Sequence, residues 1–209
     1  MKKHFIAMVI ALLPFCAVKS QINPTIKAGV TFPSISSSQF QDLQDGPGAV
    51  DYNMSTSFYV GGTVDFPLSK AFYLQTGAMV IGKGGQNEFY GNKSKIKTFY
   101  VEVPVNFLHK FPVGAHKILL GAGPYFAVAF DGSTKLTTST EQEYNVDMRF
   151  GNDYKRADFG LNFVTGVEFA KHLTLNVGYG VGLMNIRVLA SDYITDRNNV
   201  LSAGLGYRF

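Results

Sequence analysis

Apolar side chains recur at every second position through much of the chain. In Phe58, Val60, Gly62, Val64 and Phe66 the interleaved residues are Tyr59, Gly61, Thr63 and Asp65. In Val101, Val103, Val105 and Phe107 they are Glu102, Pro104, Asn106 and Leu108, and in Phe159, Leu161, Phe163, Thr165, Val167 and Phe169 they are Gly160, Asn162, Val164, Gly166 and Glu168. A period of two sends alternate side chains to opposite faces of a strand, one apolar and one polar or small. The pattern predicts strands over 25–32, 55–66, 71–82, 97–109, 117–129, 157–169, 173–183 and 198–209. Their lengths suit the roughly 9 to 11 residues a tilted strand needs to cross a bilayer and exceed the roughly 5 to 6 usual in soluble sheets. The connections alternate too. Those at 67–70, 110–116 and 170–172 are short, whereas 33–54, 83–96, 130–156 and 184–197 are long and polar, the asymmetry of an outer-membrane barrel with short periplasmic turns and long outer loops.

A soluble sandwich shares short alternating strands but turns its apolar faces toward each other. Here the polar face is lined with small residues, among them Gly29, Gly61, Gly77, Gly121, Gly123, Gly160, Gly166, Gly178, Gly180, Gly182, Gly204 and Gly206. Small residues inside leave a narrow barrel room for a few large polar side chains, while an outward band of Val, Leu, Phe and Tyr matches lipid. Closure also leaves no unpaired edge in hydrocarbon. The fold expected is all-β: an eight-stranded antiparallel up-and-down transmembrane β-barrel. Aromatics near strand ends, Phe32, Phe72, Tyr90, Phe99, Phe130, Tyr154 and Phe159, are expected in the interfacial girdles.

The first residues change the reading of charge and location. Lys2, Lys3 and His4, an apolar run over 5–18 and small residues before Gln21 read as a signal peptide spanning 1–20, leaving 21–209 as one barrel domain. A membrane anchor is the alternative, but the run is shorter than about 20 residues and contains Pro14. Lipid attachment at Cys16 is disfavoured by the bulky Phe15 before it. Lys2, Lys3 and Lys19 are three of the 19 basic residues, so the processed chain carries 16 against 15 acidic ones, with no basic face for nucleic acid. Its one cysteine leaves with the signal, excluding disulfides, thiol nucleophiles and thiolate metal sites. An odd number of connections puts both termini in the periplasm.

The end of the chain alternates Leu201, Ala203, Leu205, Tyr207 and Phe209 against Ser202, Gly204, Gly206 and Arg208. Leu205, Tyr207 and the terminal Phe209 look like the C-terminal signature read by barrel-assembly machinery. Ile26-Lys27-Ala28-Gly29-Val30, Tyr100-Val101-Glu102-Val103-Pro104, Gly121-Ala122-Gly123-Pro124-Tyr125 and Gly206-Tyr207-Arg208-Phe209 together resemble the PorT-like outer-membrane β-barrel family of Bacteroidota. The resemblance covers the whole processed chain and implies fold and location; its best-known member is linked to protein secretion.

Parity places Lys27, Asp65, Gln75, Glu102, Lys117, Asp158, Glu168 and Arg208 inside. Buried charges persist when paired, so ion pairs plugging the lumen are expected, with Lys27, Asp65, Lys117, Glu168 and Arg208 near the periplasmic ends. A gate or channel is the alternative, weakened because about eight strands leave a lumen only wide enough for side chains. Catalysis is not expected: His109, His116 and His172 lie beside the short turns and read as interfacial. Gly121-Ala122-Gly123-Pro124 is no phosphate loop, since no helix follows and proline removes a donor. Glu141, Glu143, Asp147 and Asp153 fit no calcium loop and read as solvated. No cofactor is expected, and the expected partners are outer-membrane lipid, the assembly machinery and an unknown envelope or extracellular partner at the loops. The role expected is structural or surface-contacting, with an accessory of a secretion or transport machine as the alternative.

Overall fold

The structure is a computed structural model that describes residues 23–39, 52–89, 91–152, 154–169, 172–188 and 194–209. The expected signal segment, 1–20, and Tyr90 lie outside the described residues. The strands are β1 (Asn23–Gln39), β2 (Ser57–Pro67), β3 (Phe72–Phe89), β4 (Asn92–Val113), β5 (His116–Thr137), β6 (Glu143–Asp147), β7 (Ala157–Glu168), β8 (Leu173–Gly182) and β9 (Ile194–Arg208). All pairings are antiparallel between neighbours, and β4–β5 together with β1–β9 close a ring of eight strands from which only β6 is excluded. The last strand locks onto the first through Thr25 opposite Arg208, and the Phe209 amide donates to the Pro24 carbonyl at 3.0 Å. Closure thus satisfies the backbone around the circumference.

Alternation decides which face is which. Ile26, Leu120, Phe126 and Leu205 point outward and are 51–56% exposed, part of a continuous apolar belt that only an apolar surround would match. Their neighbours Tyr59, Tyr100, Tyr125, Ala127 and Val200 point inward and form a buried cluster. Glycine makes room for the rings. A Cβ at Gly160 would come within 2.6 Å of the Tyr125 ring, and one at Gly29 within 2.6 Å of the Tyr59 ring. At the short-turn end β4 and β5 are joined by the two residues 114–115. Gly114, at φ 59°, supplies the left-handed conformation between β4 and β5.

The expectations for five connections need correction, and in two of them, 33–54 and 184–197, β1 runs on to Gln39 and β9 starts back at Ile194. The stretch 83–96 is not a long loop: β3 and β4 run on as a hairpin to Phe89 and Asn92. Nor is 110–116 a turn from its start, because β4 continues to Val113. The loop 130–156 contains the short strand β6, paired to the far end of β5. Over 83–96 polar residues on both faces erase the alternation, while the backbone goes on pairing with a neighbour already held in register by the barrel.

Candidate functional site in the barrel lumen

Alternation carries charged side chains inward, and each must find a partner there because the lumen is too narrow for solvent to screen it. Two clusters result. Toward the long-loop end, the Lys83 ammonium lies 2.9 Å from both Glu102 Oε2 and Asp158 Oδ2, all three essentially inaccessible. Tyr125 donates to Asp158 Oδ2 at 3.3 Å, Asn198 Nδ2 donates to the same oxygen at 3.1 Å, and Asn162 Nδ2 donates to Glu102 Oε1 at 3.2 Å. The ammonium sits 3.9 Å from the centre of the Tyr125 ring, a cation–π contact in a desolvated setting.

At the short-turn end, Lys110 bridges Asp65 Oδ2 at 2.8 Å and Glu168 Oε2 at 2.9 Å. Gln75 Nε2 donates to Asp65 Oδ1 at 2.7 Å, and Lys27 Nζ reaches Gln75 Oε1 at 3.5 Å. Arg208 pairs with Glu168, and the half-exposed Lys117 stands 3.7 Å from Glu168 Oε1. Between the clusters lies a cavity of about 70 Å³ lined by Lys27, Thr63, Gln75, Glu102, Asn106 and Asn162, large enough for a few waters. Thr63 Oγ1 and Asn106 Oδ1 are buried beside it without a protein partner among the described residues.

The structure therefore brings Asp65, Glu168, Arg208 and Lys117 together, puts Lys27 beside them through Gln75, and groups Glu102 with Asp158 apart from them. Sequence reasoning missed the two lysines at the centre of the clusters. Lys83 and Lys110 had been placed at the first positions of a loop and a turn. Both continue the inward parity of their strands, Lys83 two positions beyond Ile81 and Lys110 two beyond Leu108, which was the signal available.

At the long-loop end described segments are tied to one another. The Tyr52 amide donates to the Ile35 carbonyl, Lys155 to Ile186 and Ile186 to Asp196, and Ile35, Ile96 and Ile186 are buried beneath. Arg187 Nε binds Asp196 Oδ2 at 2.8 Å. Burial pushes the Tyr52 hydroxyl above its ordinary pKa, and the nearby Asp196 carboxylate adds to the shift, so Tyr52 stays neutral in this cap.

The outer rims are aromatic. Phe58, Phe99 and Phe130 form a row with ring separations of 5.4 and 6.4 Å. At the short-turn edge His109 meets Phe72 at 4.4 Å, His116 meets Phe169 at 5.4 Å and His172 stacks on Tyr207 at 5.6 Å. Leu205, Tyr207 and Phe209 all face outward. Of the loop acids, Glu143 pairs with Lys135 at 2.7 Å, and Asp153 lies outside the described residues. Among the described residues no group of three or more His, Cys, Asp or Glu is arranged to hold a metal.

The outer membrane protein beta-barrel domain family matches residues 19–187. The chain belongs to that family. Family membership points to a bacterial outer membrane as the setting of this barrel, so the outward belt faces lipid. Among solved structures, OprG from Pseudomonas aeruginosa is 16% identical, with 91% of this chain and 97% of that one covered at a TM-score of 0.48. Ail, the attachment invasion locus protein of Yersinia pestis, is 13% identical, with 90% and 98% covered at 0.42. The outer membrane protease OmpT from Escherichia coli is 11% identical, with 90% and 96% covered at 0.40. No curated protein matches the sequence.

Proposed function

We propose that this outer-membrane barrel is sealed through its lumen and acts through the strands and loops that project from its long-loop end. The observation that carries the reading is Lys83 held between Glu102 and Asp158 with none of the three side chains more than 3% exposed. A solute would have to break that triad and the Lys110 cluster below it. The cap at Ile35, Ile96 and Ile186 supports the same reading from above. Among the described residues, the projecting part of β3, β4, β5 and β6 is available for contact.

Residues 1–20 direct export in this reading, both termini lie in the periplasm, and Leu205, Tyr207 and Phe209 present the outward face on which assembly machinery acts. The four segments quoted from the sequence support placing the chain with PorT-like barrels. Two measurements test the proposal. The folded chain in a planar bilayer should give no large stable current. In intact cells, a cysteine at Thr140→Cys should react with a membrane-impermeant maleimide while one at Ser69→Cys should not; the reverse labelling, or a stable current, overturns it.

A further inference from the structure

Among the described residues, β6 is the one named strand that pairs with a single neighbour. Its residues Glu143–Asp147 are all exposed, and it pairs with β5 on one side only, no strand lying on the other among the described residues. The hydrogen bonds fix what that edge presents. The Met148 amide donates to the Gly132 carbonyl and the Thr138 amide to the Gln142 carbonyl, both at 2.9 Å. Antiparallel alternation then turns the amides and carbonyls of Tyr144 and Val146 toward β5 and those of Glu143, Asn145 and Asp147 toward the free side. Natural edges are blunted by short length, by charged side chains, lysine above all, by proline, a bulge or a covering segment, and of these β6 has shortness and two acids. The five residues of β6, Glu-Tyr-Asn-Val-Asp, contain neither lysine nor proline.

The two faces at this edge differ. Val146 stands opposite Thr134, and Tyr144 opposite Leu136; Leu136, Tyr144 and Val146 are 40%, 52% and 53% exposed. The other face carries the Glu143 and Asp147 carboxylates on either side of Asn145. Lys135 neutralises Glu143 from the β5 side, and Asp147 has no ion pair among the described residues. A second copy is a poor occupant, because antiparallel pairing of β6 with itself about Asn145 sets Glu143 opposite Asp147 twice, and like charges directly opposed destabilise a strand pair.

We propose that the β6 edge docks an extended segment of another protein by strand addition, with basic residues opposite Glu143 and Asp147 and aliphatic ones opposite Tyr144 and Val146. The proposal rests on the reading that the long-loop end is the contacting end. The probe is a fluorescent peptide with the core Lys-Val-Thr-Val-Lys, titrated by anisotropy against the full folded chain in detergent. Binding should saturate, and a Glu-Val-Thr-Val-Glu core should bind at least tenfold more weakly. Asn145→Pro removes an outward amide without touching the pairing with β5 and should weaken the basic peptide at least tenfold. Asp147→Lys should weaken the basic peptide and strengthen the acidic one, an exchange that a misfolded chain would not show. Absence of saturable binding, indifference to peptide charge, or full affinity in a folded Asn145→Pro chain overturns the docking edge. Detergent has no inside or outside, so these results stand apart from the labelling in intact cells that tests which end is exposed.

Discussion

Replacing Lys83 with Met is the sharpest test of how the lumen is held together. At an effective dielectric constant of about 20, each of the two 2.9 Å contacts carries roughly 6 kcal/mol of attraction. Removing three ions from water costs several kcal/mol per ion, so the intact triad lies near balance. The single change upsets that balance in one direction only. It leaves Glu102 and Asp158 buried with no cation between them and only the Asn162, Asn198 and Tyr125 donors in reach. The expected loss is about 3–5 kcal/mol, the range for breaking a buried pair from one side. Combining Lys83→Met with Glu102→Gln and Asp158→Asn removes all the charge and should recover most of it, since replacing a whole buried ion cluster is often neutral. The chain has no Trp, so the assay is the urea midpoint read from the gel mobility of folded against unfolded barrel. A single variant within about 0.5 kcal/mol of the parent, or a triple variant no better than the single one, would refute the view that the charges, rather than the shapes, of these side chains govern the lumen.

Other parts of the molecule give further expectations. Glu102→Ala leaves Lys83 its second partner Asp158, so it should cost about 1–3 kcal/mol in the same urea assay and still give no stable current in a planar bilayer. Gly160→Val would drive its Cβ against the Val181 carbonyl and the Tyr125 ring, and a loss of about 1–3 kcal/mol or more is expected, with the unfolding midpoint as the check. Arg187→Ala leaves the buried Asp196 without its cation, so limited proteolysis should cut faster at the long-loop end while the barrel core survives as a protected fragment. Deleting Phe209 removes the ring that meets Tyr207 edge-on at 5.2 Å; folded barrel in cells should fall sharply while the purified chain still refolds in detergent, and equal loss in both settings would show a structural rather than an assembly role.

Much of the architecture was legible in the sequence because a strand's side-chain period is fixed by the backbone. Once Val101, Val103, Val105 and Phe107 face one way, Glu102 and Asn106 must face the other, and Asp65, Asp158 and Glu168, of the same parity in their strands, are buried. The glycine-rich inner face and the outward Val, Leu and Phe likewise told barrel from sandwich before any coordinates. Strand ends were not legible. Lys83, Gly84, Gly85, Gln86 and Asn87 carry no alternation, and what keeps them extended is pairing with 94–98 of β4, a contact between residues apart in sequence. For the same reason the partners of the charges were hidden: Lys83 meets an acid on β4 and another on β7, and Lys110 meets acids on β2 and β7. Facing inward is a local property that one strand determines. Which charge lies across the lumen depends on the stagger of the closed ring, and that is set only when all eight strands have paired.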